Sequence, residues 1–209
     1  GNEAALTHPG VTNVMYYEML ANHTLPMFHP GNSRVAGTTA NNQAFFAFVE
    51  SAAPELGARV PVEEIGLYYS SSSVLAFITP YDFYNFYTQP HQFAFYGWGT
   101  ALGELHYQYR AVPEWRLAEM LPGLRVLVIP NANVLPPEDV ANVLTPWVEA
   151  GGRLIVTGDT GFRLGEAGSF QRNPAGLSAA PLTGVSDYAT APGQSLQTVG
   201  LGTVLYINE

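Results

Sequence analysis

Cysteine is absent from the 209 residues of this chain, which excludes disulfide bonds, thiolate zinc sites and cysteine nucleophiles. The lack of disulfides favours a cytoplasmic protein, although it leaves the compartment unassigned. No apolar run approaches the roughly 20 residues that cross a bilayer, and no signal peptide is recognisable, so we expect no membrane association.

Charged residues are also scarce, at 12% of the chain against 47% hydrophobic residues. The 8 Lys and Arg residues are scattered and are outnumbered by 17 Asp and Glu, which gives a net charge of −9. Without a basic patch, nucleic acid is not an expected partner. Few charges and many aromatic residues indicate a surface that is buried against another domain or another copy.

Short apolar runs predict the strands of an α/β domain. Three of them read as buried parallel strands, at 64–70, 124–130 and 153–158. The alternating segment 106–112 predicts another strand, and 194–208 predicts a terminal hairpin that turns at Gly200–Gly202.

Helical spacing separates these runs. It predicts helices over 14–23, 41–56, 95–106 and 136–152. Asn41 or Asn42 is the expected N-cap of the second helix, and Pro146 should kink the last one. Alternating strands and helices predict a parallel sheet, whose carboxyl ends carry ligands in such folds. Here those ends are the serine loop 70–73 and the segments 131–133 and 159–160.

Several motifs occur together at separations that are typical of one family. They are IPN (129–131), EAGGRLIVTG (149–158), DTG (159–161), the closing GLGTVLYIN (200–208) and EIGLYYSSSS (64–73). This combination resembles the trimerisation domain of bacterial β-galactosidases and related glycoside hydrolases. The resemblance implies a three-layer, mainly parallel flavodoxin-like sheet with helices on both faces, of the class I glutamine amidotransferase-like type, over residues 61–209.

The resemblance also implies a role for the chain. Residues 1–60 would be an irregular or helical arm that links the α/β domain to a preceding catalytic barrel, and a start at Gly1 rather than Met agrees with an excised piece. The domain would be a non-catalytic assembly or accessory domain of a glycoside hydrolase. It would self-associate or pack on the barrel, and its substrate would remain unidentified.

The turn at Asp159-Thr160 is where an amidotransferase carries its nucleophile. That activity needs a cysteine there and a histidine downstream, but all five histidines precede this turn. The sequence therefore excludes glutamine hydrolysis by that route. Serine-esterase, phosphate-loop and complete dinucleotide motifs are also absent, and we expect no cofactor.

The polar residues at this edge of the sheet can be interpreted either as functional or as structural. Asp159 is either a general base or a side chain that caps its own turn, and capping is the more common role. Asn131, Asn133 and Arg163 are candidates for contact with a ligand or partner. Loop hydrogen bonding and a surface ion pair are the more common roles for Thr160 and Arg163. The histidines lack the spacing of metal ligands, because Pro26 interrupts HTLPMFH, so no metal is expected.

Aromatic residues are concentrated in the segment 81–98, between the first strand and its helix. Tyr81, Tyr84, Tyr87 and Trp98 are candidates for an interface between subunits or for a platform that stacks on sugars. A hydrophobic cluster beneath a long loop is the structural alternative. Two further functions therefore stay open: an independent enzyme that uses Asp159, and a carbohydrate-binding module that uses residues 81–98.

Overall fold

The computed structural model describes residues 38–57, 62–76, 89–165 and 170–208. The chain divides into two compact units between Pro61 and Val62. In the first unit, helices α1 (Thr38–Ser51) and α2 (Ala53–Gly57) replace the single helix expected over 41–56. The helix breaks because Pro54 lacks a backbone N–H and is tolerated only in a first turn. The expected N-cap at Asn41 or Asn42 is wrong, because the helix begins at Thr38. The expected helix over 14–23 lies outside the described residues.

The second unit is built on a six-stranded sheet. In chain order the strands are β1 (Ile65–Tyr69), β2 (Tyr109–Pro113), β3 (Val126–Ile129), β4 (Arg153–Thr157), β5 (Arg163–Leu164), β6 (Gln171–Arg172), β7 (Gln194–Val199) and β8 (Gly202–Ile207). The main sheet has the order β2-β1-β3-β4-β8-β7, while β5 and β6 form a separate pair. All neighbours in the main sheet are parallel except β7 and β8. This flavodoxin-like order with an antiparallel edge strand confirms the predicted α/β fold and the terminal hairpin.

The helices of this unit are α3 (Ser71–Leu75), α4 (Pro90–Glu104), α5 (Leu117–Met120), a composite α6 over 137–149, and α7 (Ala180–Thr183). The serine segment, expected to be a loop, forms α3, because the Ser70 side chain caps it by accepting a hydrogen bond from the backbone N–H of Ser73 at 3.0 Å. Helix α4 begins five residues before the expected start, since Pro90 fits a first helical turn. Among the described residues, no helix is both long and apolar enough to cross a membrane.

A wide turn inside α6 accommodates Pro146. The helix runs as α-helix over Pro137–Asp139, as π-helix over Val140–Leu144 and again as α-helix over Thr145–Glu149. Both the backbone N–H and the hydroxyl of Thr145 bond to the carbonyl of Val140, the hydroxyl at 2.7 Å. The helix therefore departs from regular α-helix in the turn just before Pro146, and a π-type turn of this kind is one of the usual sites of a kink.

The sheet is covered on both faces. On one face Leu127, Leu154 and Val204 join a fully buried core with Leu144 and Val148 of α6. On the other face α4 packs over β1, where Gly99 allows close approach. A Cβ at this position would lie 2.7 Å from the Tyr109 hydroxyl and 3.8 Å from a methyl of Leu67. The result is a three-layer α/β unit with buried strands in the middle.

The first prediction concerns the close packing of β8 against the end of α6. A Cβ at Gly202 would overlap the carbonyl oxygens of Val148 and Gly152. We expect Gly202→Ala to lower the free energy of unfolding by about 2–3 kcal/mol, measured by chemical denaturation, because neither backbone oxygen can move cheaply. Gly103→Ala is the matched control, since nothing lies within 4 Å of that position. It should raise stability by about 0.5–1 kcal/mol through helix propensity, and equal effects of the two variants would contradict the packing argument.

Candidate functional site

The carboxyl ends of β1, β3 and β4 meet at the point where the chain reverses direction across the sheet. The connection after β1 leads to β2 at one edge, whereas the connection after β3 leads to β4 on the opposite side. The backbone N–H of Val134 donates to the Ser73 hydroxyl at 2.9 Å, and that of Ala132 donates to the Thr160 hydroxyl at 3.0 Å. The prediction that the three segments share one edge is therefore confirmed.

Glu114 holds the segment that follows β1. It lies directly after β2, and its carboxylate accepts hydrogen bonds from three consecutive serine hydroxyls, of Ser70 at 2.8 Å, Ser71 at 2.6 Å and Ser72 at 3.0 Å. The backbone N–H of Ser72 adds a further bond at 3.1 Å. A carboxylate that accepts this many charge-assisted bonds is held in one position.

His91 joins the ends of β1 and β3. Its side chain lies in the first turn of α4 and is 0% exposed. Its Nε2 accepts a hydrogen bond from the backbone N–H of Ser70 at 2.8 Å, and its Nδ1 lies 2.6 Å from the carbonyl oxygen of Pro130. Nδ1 therefore carries the proton and Nε2 the lone pair. Burial lowers the pKa of His91 to about 4, against smaller opposing effects of the Pro130 carbonyl and the Glu114 charge.

Ser70, His91 and Glu114 have the composition of a catalytic triad but not its connections. In a triad the histidine accepts the serine hydroxyl proton and donates its other proton to the carboxylate. Here His91 Nε2 accepts the backbone N–H of Ser70, and His91 Nδ1 donates to the carbonyl of Pro130. The Ser70 hydroxyl donates directly to the Glu114 carboxylate and not to the histidine. No proton can pass from serine to histidine in this arrangement, so the three side chains act as a structural clasp.

Thr160 serves as a bridge inside the turn that follows β4. It is fully buried, and its hydroxyl donates to the carbonyl of Thr157 at 2.7 Å while it accepts the Ala132 N–H. The Thr157 hydroxyl in turn accepts the backbone N–H of Asn131 at 3.0 Å. With both roles of its hydroxyl occupied and no exposed surface, Thr160 cannot attack a substrate.

Asp159 and the two predicted asparagines form one small cluster. The Asp159 carboxylate accepts a hydrogen bond from the side-chain amide of Asn133, and the Asp159 backbone N–H donates to the Asn131 side chain at 3.3 Å. Burial raises the pKa of Asp159, against opposing effects of its own backbone N–H and the charge of Arg163. Arg163 lies in β5, and its backbone N–H donates to the carbonyl of Asn133 at 2.8 Å. The cluster ties the turn to the loop after β3.

Of the predicted aromatic site residues, the structure describes only Trp98. Tyr81, Tyr84 and Tyr87 lie outside the described residues, as do His8, His23 and His29. Trp98 lies within α4, two turns after His91, as the predicted helix over 95–106 implied. In the described part of the chain, no group of three or more potential metal ligands occurs.

A groove of about 400 Å³ lies beside the Glu114 carboxylate. It is lined by Ser72, Glu114, Trp115, Leu117, Ala118, Pro136, Glu138, Asp139 and Val143. Burial raises the pKa of Asp139, and the charges of Glu138 and Glu114 add to this effect. Among the described residues that line the groove, none is a histidine and none carries a basic side chain.

Sequence reasoning missed Glu114 and did not assign His91 a role. The partners of Glu114 are 42 to 44 residues away in the chain, and His91 bonds to residues 21 and 39 positions away. Four consecutive serines at a strand end do carry a signal, since buried hydroxyls require an acceptor. The identity of that acceptor depends on the strand order, which local patterns do not contain.

Comparison with known proteins gives a fold relationship. No protein-family model matches the chain, and no curated protein matches it. Among solved structures, a β-galactosidase from Bacillus circulans sp. alkalophilus has a TM-score of 0.70 at 10% identity, over 96% of this chain and 39% of that chain. A catalytic mutant of Gan42B, a GH42 β-galactosidase from G. stearothermophilus, has a TM-score of 0.63 at 13% identity, over 88% and 32%. A β-galactosidase from Rahnella sp. R3 has a TM-score of 0.55 at 15% identity, over 78% and 31%.

These matches share a fold with this chain. At 10–15% identity, the roles of individual residues in those enzymes cannot be assigned to residues of this chain. The chain spans about a third of the length of each solved structure, so the shared fold corresponds to one part of those enzymes.

A second prediction tests the clasp around Glu114. We expect Glu114→Ala to lower the free energy of unfolding by about 3 kcal/mol, because the hydroxyls of Ser71 and Ser72 lose their acceptor and that of Ser70 keeps only the longer bond to the Val134 carbonyl, at 3.3 Å. Glu119→Ala is the matched control, since its exposed ion pair with Arg116 contributes little. Denaturant titration of both variants measures the difference. An equal loss in the two variants would show that the serine bonds do not hold the loop.

A third prediction follows from the neutral form of His91. The pKa of His91 falls from an ordinary 6.5 in the unfolded chain to about 4 in the folded domain. As the pH is lowered, this histidine therefore binds a proton at a higher pH in the unfolded chain than in the folded one. Stability should therefore decrease between about pH 6.5 and pH 4, by about 3 kcal/mol from this group, and no further below pH 4. Denaturation of the wild type and His91→Gln across this range isolates the contribution. A difference between the two proteins that does not vary with pH would contradict the assignment.

Proposed function

We propose that this chain is a non-catalytic accessory domain of a glycoside hydrolase of the β-galactosidase type. Its fold is shared with a part of several β-galactosidases that amounts to about a third of their length. In this proposal the catalytic carboxylates belong to a separate barrel domain, and the α/β unit acts by packing on that barrel or on other copies.

The observation that carries the proposal is the closure of the edge where such folds place their ligands. The hydrogen-bonding groups of Ser70, His91, Thr160 and the Glu114 carboxylate are directed at other parts of the same chain. A catalytic edge would instead leave a nucleophile beside a free base and open to a substrate. Because the chain contains no cysteine, it also lacks the nucleophile that glutamine hydrolysis by an amidotransferase requires.

Assembly is the role that the surface supports. The chain carries few charges, and several large apolar side chains are exposed, among them Phe93, Trp115, Leu196 and Leu201. Exposed apolar groups of this size are typical of surfaces that contact another protein. Trimerisation is the specific form of assembly that the resemblance to the family implies, and it belongs to the proposal.

The alternative of an enzyme built on Asp159 has less support. A general base needs a free lone pair directed at a substrate proton, and the described contacts of this carboxylate are to Asn133 and its own turn. A raised pKa alone does not distinguish a catalytic carboxylate from one that burial protonates.

The fourth prediction tests whether the chain catalyses hydrolysis. The purified 209-residue chain should hydrolyse neither nitrophenyl β-galactoside nor glutamine faster than buffer, because the described residues of its edge include no nucleophile paired with a free base. Asp159→Asn should behave identically, and circular dichroism should show that both proteins are folded. A measurable rate in the wild type that disappears in Asp159→Asn would refute the non-catalytic role and support the enzyme.

A further inference from the structure

The groove beside Glu114 lies at the carboxyl ends of β1 and β2. Glu114 and Trp115, directly after β2, form one wall, and Glu138 and Asp139, in the first turn of α6, form another. Its volume of about 400 Å³ is within the range of small-molecule sites in proteins, about 300–1,000 Å³. Because α/β folds bind their ligands at this end of the sheet, the groove has the position and the size of a ligand site.

Trp115 gives the groove a flat apolar surface. Its side chain is 68% exposed, although it lies beside the buried core residue Leu117 in the lining of the groove. An indole ring has two apolar faces and a polar N–H at its edge. A large aromatic side chain that remains in water at the mouth of a polar groove is typical of a surface that stacks on a ligand.

An unsatisfied hydroxyl group lies beneath the groove. The Tyr68 side chain is 0% exposed and belongs to the same buried cluster as Leu117. Its hydroxyl makes no hydrogen bond with the described residues. The neighbouring Ser70 hydroxyl already donates to Glu114 and accepts the backbone N–H of Ser73. Because buried hydroxyls almost always have a partner, the Tyr68 hydroxyl requires one from outside the described residues.

Two walls of the groove act electrostatically on this hydroxyl. Burial raises the pKa of Tyr68, and the charges of Glu114 and Asp139 add to this effect, against a smaller opposing effect of Ser70. Since Glu114 and Asp139 both line the groove, the hydroxyl lies close to its floor. A phenol that stays protonated keeps its proton for donation, so it can donate to an oxygen atom of a ligand.

The carboxylates of the groove require hydrogen-bond donors. Glu114 takes its donors from the serine segment. For Glu138 and Asp139 the described part of the chain offers no side-chain hydrogen bond and no ion pair. These carboxylates also do not belong to any group of described residues that could hold a metal ion. Ionised carboxylates only accept hydrogen bonds, so a ligand in the groove has to supply the donors.

These requirements together indicate one class of ligand. The carboxylates need donors, the Tyr68 hydroxyl needs an acceptor, and Trp115 needs a flat apolar partner. A sugar ring meets all three requirements, because each of its hydroxyls both donates and accepts and its C–H groups form an apolar face. An organic cation would satisfy the carboxylates and the indole, but it would leave the Tyr68 hydroxyl without an acceptor.

We propose that the groove binds one neutral pyranose ring. The ring stacks on Trp115, its hydroxyls donate to Glu138 and Asp139, and one hydroxyl oxygen accepts the proton of Tyr68. The site is distinct from the closed edge between β1 and β3, and it uses no residue of the aromatic segment 81–98. The inference goes beyond the accessory role proposed above and does not depend on how the domain assembles.

Calorimetric titration of the full 209-residue chain with methyl β-galactopyranoside provides the first test. This probe is suitable because hydrogens of neighbouring ring carbons lie together on one face of a galactopyranoside. The wild type should bind it saturably, and Trp115→Ala should weaken binding by about tenfold through the loss of stacking. Phe93→Ala is the matched control, since this side chain is 73% exposed but lies in α4 away from the groove, and it should bind like the wild type.

Tyr68→Phe provides a second test, because it should change binding and stability in different directions. Loss of the donor should weaken galactoside binding by about fivefold. The free energy of unfolding should stay the same or rise, because the variant removes a buried hydroxyl that has no partner. A hydroxyl that only supported the fold would instead lower the stability when removed. Tyr107→Phe, at a tyrosine that is 57% exposed, should change neither property.

A parallel titration with choline distinguishes a sugar site from a cation site. Galactoside binding that does not vary with salt supports the proposal, because a neutral ligand is not screened. Binding of choline but not of the galactoside overturns the proposal in favour of a cation site. No saturable galactoside binding up to its solubility limit, or equal binding by Trp115→Ala and the wild type, also overturns it. None of these outcomes affects the non-catalytic role, which hydrolysis by the chain alone would refute.

Discussion

The domain depends on how the ends of β1 and β3 are joined at the reversal point of the sheet. Backbone groups at these ends have left the strand ladder, and burial makes an unpaired N–H or C=O costly. His91 satisfies one group from each strand, the Ser70 N–H and the Pro130 carbonyl. Because the ring is buried, only its neutral form fits, and the N-terminus of α4 is thereby fixed to both strands.

The same bonds distinguish this serine, histidine and carboxylate from a catalytic triad. A histidine whose lone pair accepts a backbone N–H cannot also take a hydroxyl proton, and Glu114 is already surrounded by donors. The residue types of a site therefore do not determine its function. The hydrogen bonds among those residues determine it, and here the hydrogen bonds of Ser70, His91 and Glu114 join segments of the same domain.

The sequence predicted most of the strands of the sheet but not the contacts among Ser70, His91 and Glu114. The apolar runs of β3 and β4 and the terminal hairpin were predictable, since continuous apolar runs between turn residues fit buried strands. The meeting of segments 70–73, 131–133 and 159–160 at one edge followed from parallel pairing. The roles of His91 and Glu114 could not be predicted, because their partners are brought close only by the order of the strands. The early start of α4 was missed because the aromatic residues before position 95 were assigned to a connection, although Pro90 fits the first turn of a helix.

Burial across the sheet follows the layers that cover it. Parallel strands are stable when both faces are covered, and here α6 covers one face while α4 packs over β1 on the other. On that second face burial declines from Leu67 to Leu196 although the residues stay apolar. Leu196 lies opposite Leu205 in the terminal hairpin, so the hairpin itself removes part of its apolar surface from water, and the described residues leave the rest exposed.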